Sequence, residues 1–240
     1  MLEPIQAGLW GALAASALVL GAMVALTLPV PRRIVALVMA FGAGALISAL
    51  AFDLSDEAFR VGGTVIFGVG IAAGAVVYYA GNKLIKRSGG RRGASHRRTN
   101  GLAIVLGVLL DGIPESLVLG ATLIGGAGVS PSFFAAVAVS NFPEGLAGTR
   151  DLVDEGHQRG WVIGLWLAVV IVSGLAAAIG NAVLLDVGSK PLAFVQSFAA
   201  GAIITMLADT MFPEAFENGG DRVGLATALG FAAAFLLSRT

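Results

Sequence analysis

The strongest constraint in this sequence is a series of long apolar runs separated by short polar breaks. A bilayer core about 30 Å thick is crossed by roughly 20 residues of helix. On that measure we read spans near residues 6–29, 34–52, 62–80, 102–123, 132–149, 161–185, 192–212 and 223–237. The fifth and eighth are short. Only 12% of the 240 residues are charged, against about a quarter in a soluble domain. The expected fold class is therefore all-α: a polytopic membrane protein of eight transmembrane helices, forming a single transmembrane domain over residues 1–240. The 34 glycines suit a bundle whose helix backbones approach closely in lipid. The chain has no cysteine, which excludes disulfides, thiolate metal sites and thiol catalysis. Its net charge is zero, so no nucleic-acid partner is expected. The first run lacks a basic leader and is too long for a signal-peptide core, so it reads as a retained span.

Loop charge supplies an orientation. The connections after the first, third, fifth and seventh spans hold Arg32, Arg33, seven basic residues between Lys83 and Arg98, and Arg150, Arg159 and Arg222, together 12 of the 15 Lys and Arg. The positive-inside rule then places both termini on the non-cytoplasmic side of a cell membrane, plasma or inner. Residues 83–100 are expected to be a flexible basic loop that anchors topology against anionic lipid.

Two self-similarities run through the chain. Phe41, Gly44, Ala45, Ile47 and Glu57-Ala58-Phe59 recur as Phe198, Gly201, Ala202, Ile204 and Glu214-Ala215-Phe216, at a constant spacing of 157. Spans two and seven run in opposite directions, so the first three and last three spans form an expected inverted repeat. Pro114-Glu115 in the fourth span and Pro143-Glu144 in the fifth form a second antiparallel pair. Inverted repeats with interrupted helices near the midplane mark transporter binding sites.

The chemistry concentrates there. Asp111 and Glu115 are four apart and share a helix face, as do Asn141 and Glu144, three apart. Each ionised carboxylate at mid-membrane costs about 2.5–3.5 kcal/mol on insertion scales. A bound divalent cation offsets that cost and relieves the mutual repulsion of clustered carboxylates. Pro114 and Pro143 also free the carbonyls of Leu110 and Val139, and the expected kinks would open the helices locally. Asp209 reads either as pathway lining or as a residue near the cytoplasmic end. Asp53, Asp56 and Glu57 follow the second span, in a solvated loop or an acidic vestibule that gathers cations. Glu214, at the inner end of the seventh span, could assist release.

This arrangement resembles the ZIP (Zrt/Irt-like) family of divalent-metal transporters, over nearly the whole chain. The resemblance rests on Asp111-Gly112-Ile113-Pro114-Glu115-Ser116 and Ser140-Asn141-Phe142-Pro143-Glu144-Gly145, which match the family's His-Asn-x-Pro-Glu-Gly element and its fifth-span counterpart. It implies eight spans in a 3+2+3 inverted-repeat bundle with outside termini. It also implies a first metal position formed by Asp111, Glu115, Glu144 and Ser140. At the family's second metal position this chain has Gly112, Asn141 and Ala177, so that site is expected to be reduced. Replacing the family's histidine by Asp111 moves the shell toward oxygen ligands. Zinc remains first from the resemblance, with manganese, iron or another hard cation also suited.

The expected function is transport of a divalent metal ion into the cytoplasm, with no prosthetic group and with the lipid bilayer as the surrounding partner. Glycine-rich faces leave a homodimer open. The alternative is transport of a non-metal solute, with the carboxylates serving as a proton relay. An enzyme is not expected: there is no His-Glu-x-x-His element, and nothing around Asp111 and Asp209 marks them as a proteolytic pair.

Overall fold

A computed structural model describes residues 2–87, 101–124 and 128–239, with the side chains of 101–105 left out. It is helical, with no strand among the described residues. The helices are α1 (Leu2–Thr27), α2 (Arg32–Ala49), α3 (Asp56–Arg87), α4 (Gly101–Ala121), α5 (Pro131–Asp154), α6 (Arg159–Leu184), α7 (Ser189–Met206), α8 (Phe212–Gly219) and α9 (Val223–Leu237). A π-helical turn, Leu50–Ser55, joins α2 to α3. A second, Leu207–Met211, joins α7 to α8.

Among the described residues, four stretches are long and apolar enough to cross a membrane by length and composition: Leu2–Thr27, Arg32–Arg87, Arg159–Leu184 and Ser189–Leu237. The two long ones are each divided by a glycine with positive φ, at Gly63 (φ 68°) and Gly220 (φ 61°). No atom crowds either position. Glycine is needed there because a side chain is strained in that backbone conformation. α5 is not among the four; its Asn141 and Glu144 lower its hydropathy.

The structure corrects four sequence expectations. The helix that holds the second predicted span does not stop at Phe52. Helix continues through the π turn as far as the break at Gly63, so Asp53, Asp56 and Glu57 lie on helix and not in a loop. The seventh likewise runs on to Gly219, which puts Glu214 on α8. In both places the chain stays helical across polar residues because nothing interrupts it before the glycine. Lys83, Lys86 and Arg87, expected in the flexible basic loop, complete the last turns of α3; residues 88–100 of that loop lie outside the described residues. α4 and α5 also remain unbroken through Pro114 and Pro143, so the expected local opening is absent.

The packing is small inside and large outside. The buried positions are dominated by alanines and glycines, among them Ala14, Ala40, Ala43, Ala200 and Ala202. Along α6, Leu167, Ile171, Leu175, Ile179 and Val183 repeat every four residues and are all exposed. An apolar stripe of that extent suits contact with lipid and is costly in water.

Glycines set how closely helices approach. A Cβ on Gly74 of α3 would collide with the Phe198 carbonyl of α7, and one on Gly230 of α9 would collide with the Phe41 carbonyl of α2. α1 packs against α5 and α6, and α4 against α6. At these crossings Gly21 sits on the Phe142 carbonyl, Gly145 on Leu18, and Gly120 on the Ala177 carbonyl. Carbonyl-to-glycine seats of this kind hold membrane helices together where the hydrophobic effect does not.

Gly74→Val is expected to destabilise the bundle by roughly 2 kcal/mol through overpacking. Gly68→Ala, where a Cβ meets nothing within 4 Å, should be neutral or gain up to about 1 kcal/mol. Thermal unfolding in detergent distinguishes them, and equal melting temperatures would contradict the seat at Gly74.

Candidate metal site

Asp111 and Glu115 lie one helical turn apart on α4, and Glu144 lies on α5. All three are buried, at 4%, 2% and 5% exposure. The charges of Asp111 and Glu144 both bear on the Glu115 carboxylate, so the structure brings the three into one electrostatic neighbourhood. One Glu115 oxygen, Oε1, is buried without a hydrogen-bond partner. An unsatisfied carboxylate oxygen in the interior is costly and chemically suited to a proton or a cation.

The side chains are not drawn into a cage. Among the described residues, no group of three or more His, Cys, Asp or Glu stands ready to hold a metal ion. Asp111 Oδ1 is engaged elsewhere, accepting a 2.6 Å hydrogen bond from the Tyr78 hydroxyl of α3. Tyr78 is itself 2% exposed.

The two polar residues predicted alongside the carboxylates donate to backbone carbonyls. Ser140 donates back to the Val137 carbonyl at 2.9 Å, and Asn141 Nδ2 donates to the Ala14 carbonyl of α1 at 3.3 Å. Around the second position implied by the resemblance, helices are closely packed. Ala177 is fully buried against Gly11 and Gly120, and a Cβ on Gly112 would meet Ser173 Oγ at 3.7 Å.

The remaining predicted residues are spread apart. Asp53 Oδ2 accepts from Ser130 Oγ at 2.8 Å and from the Ser132 hydroxyl. Ser130 also caps α5, accepting from the Phe133 amide at 3.2 Å. Asp53 therefore sits at a helix N-terminus, where the backbone dipole favours a negative charge, and ties the first π turn to α5. Asp56 is exposed, and Glu57 pairs with Arg60 on the surface. Asp209, in the second π turn, accepts from Asn82 Nδ2 at 3.4 Å. It lines a cleft of about 450 Å³ with Tyr79, Asn82, Lys83, Lys86 and Arg87. Glu214 lines a smaller cavity of about 80 Å³ that includes Arg32, Arg150 and Asp151. Arg150 donates to the Val30 carbonyl, fastening the C-terminal part of α5 to the α1–α2 connection.

Tyr78, Asn82 and Ser130 were missed by sequence reasoning. The signal available was slight: Tyr78 and Asn82 are four apart near the end of an apolar run, which puts two polar groups on one face. Ser130 precedes Pro131 at a helix start, a capping pattern.

Ser130→Ala should destabilise the fold by about 1 kcal/mol, since it removes both the cap and one tie to Asp53. Asp53→Asn keeps an acceptor oxygen and should cost less. Thermal unfolding checks the order, and the reverse order would contradict it.

No family model matches the chain. Among curated proteins, one from Arabidopsis thaliana that carries the name "Putative zinc transporter" is 28% identical over 184 residues. The match covers 73% of this chain and 29% of the relative, so the chain corresponds to less than a third of that protein's length. A relative named as a zinc transporter is consistent with the ZIP resemblance carried by the two Pro-Glu elements.

Proposed function

We propose that this protein carries divalent cations, zinc first among them, across a membrane into the cytoplasm. The site is formed by Glu115, Glu144 and Asp111 between α4 and α5, with Ser140 and Asn141 as neutral oxygen donors. The observation that carries this reading is the buried Glu115 carboxylate, with one oxygen unpartnered and two more carboxylates acting on it. A divalent cation satisfies that oxygen and neutralises the neighbouring charges at once, as a monovalent partner does not. The name of the plant relative supports the choice of cargo.

In this reading the chain crosses the membrane eight times, in a 3+2+3 inverted repeat. Supporting it, the two π turns start at Leu50 and Leu207, and the two dividing glycines are Gly63 and Gly220, each pair 157 residues apart. Phe41 and Phe198, whose carbonyls seat Gly230 and Gly74, share the same spacing. The related halves rock against each other about the central pair, α4 and α5, exposing the site alternately. With the basic loops inside, Asp53 and the N-terminus of α5 lie on the entry side. The Asp209 cleft and the Glu214 cavity lie on the exit side. Unbinding is favoured when a ligand carboxylate takes a proton.

Uptake of Zn²⁺ and Mn²⁺ into proteoliposomes tests the reading. Glu115→Gln and Glu144→Gln, which keep shape and lose charge, are each expected to lower uptake about ten-fold or more, the loss of one stabilising ion contact. Unchanged uptake in both variants would remove the site. Proton-driven uptake of an organic solute with no metal uptake would move the carboxylates to the relay alternative.

A further inference from the structure

The Asp209 cleft stops short of the carboxylates: neither Asp111 nor Tyr78 is among the residues that line it. The polar groups nevertheless continue across the gap. Asn82 and Asp209 meet at the cleft. Thr210, next to Asp209 in the second π turn, donates to the Met206 carbonyl at 2.7 Å and is near enough to the Tyr78 hydroxyl to influence it. That hydroxyl then donates to Asp111. Tyr78 and Asn82 are four apart on α3 and share a face. Along this series of polar groups Tyr78 comes between the carboxylates and the residues of the cleft.

Two features hold it there. One turn before Tyr78, Gly74 is seated on the Phe198 carbonyl, which fixes α3 against α7. The π turn at Leu207–Met211 departs from regular α-helical bonding where Asp209 and Thr210 occur. Turns of this kind often mark functional positions in helices and can rearrange locally.

We propose that Tyr78 is the gate between the carboxylate site and the α3–α7 cleft, and that its hydroxyl sets the position of Asp111. Closed, as here, the ring blocks passage and the hydrogen bond holds one Asp111 oxygen away from a cation at Glu115 and Glu144. Open, the ring swings aside, Asp111 is released, and the divalent cation passes Thr210, Asp209 and Asn82 to the cleft. Tyr78 is a positioning and gating residue; it need not bind the cation itself. The inference rests on the proposed transport function for its cargo, but the gate can be tested without transport.

The chain has no cysteine, so Glu115→Cys provides a single reporter at the site. In sealed membranes of known orientation, a membrane-impermeant methanethiosulfonate reagent is applied from the Lys83 side. The reporter alone should react slowly, and adding Tyr78→Ala should accelerate the reaction about ten-fold or more by removing the gate. Rapid reaction with Tyr78 present, or no acceleration without it, would overturn the gate. Tyr78→Phe, which keeps the ring, tests the positioning role in the otherwise unaltered chain. Its apparent KM for Zn²⁺ should fall roughly three-fold, because the cation no longer competes with a hydroxyl for Asp111. A loss confined to maximal uptake, in proportion to folded protein, would reduce Tyr78 to a packing residue. If the wild-type chain takes up no divalent cation, the transport reading fails while the labelling rates still decide the gate.

Discussion

A carboxylate in an apolar interior must be paired, hydrated or neutralised, since bare burial of a charge is prohibitive. This chain places Asp111, Glu115 and Glu144 in one buried neighbourhood and leaves a Glu115 oxygen without a protein partner. Much of the surrounding architecture follows from housing that charge. Large apolar side chains face outward along α6, alanine and glycine fill the interior, and two further acidic residues are bonded to side chains from elsewhere in the chain. Asp53 is held by serine hydroxyls at the start of α5, and Asp209 by Asn82.

Close backbone approach makes such an interior mechanically definite. Helices seated glycine to carbonyl resist sliding along each other. The paired seats at Gly74 and Gly230, with breaks at Gly63 and Gly220, divide the chain at matching places on either side of α4 and α5. α5 is seated backbone to backbone on α1 at Phe142 and Gly145, and polar bonds tie it toward opposite ends, through Ser130 to Asp53 and through Arg150 to Val30.

The sequence made the helices and the acidic pair readable because both are local. Hydropathy marks a run of twenty residues, and Asp111 and Glu115 share a face by helical period alone. The ends of the second and seventh runs were not readable. Polar residues such as Asp53 and Glu57 look like a loop, although the helix continues until a glycine takes positive φ. The Tyr78–Asp111 hydrogen bond was hidden for a different reason. It joins residues 33 apart on separate helices and depends on how each helix is rotated. In an apolar run that rotation is set by where Gly74 and its counterparts seat, and periodicity does not report it. The prolines misled in the opposite sense: Pro114 and Pro143 remove a hydrogen bond, yet α4 and α5 stay helical through them.

Metal transport by this chain requires that the buried carboxylates hold a divalent cation. Equilibrium binding of Zn²⁺ to the purified protein in detergent, by titration calorimetry, tests it most directly. Saturable binding at one site per chain is expected, abolished in the Glu115→Gln/Glu144→Gln double variant while the fold melts as before. Binding that survives in that variant, or no binding to the wild-type chain, would contradict it.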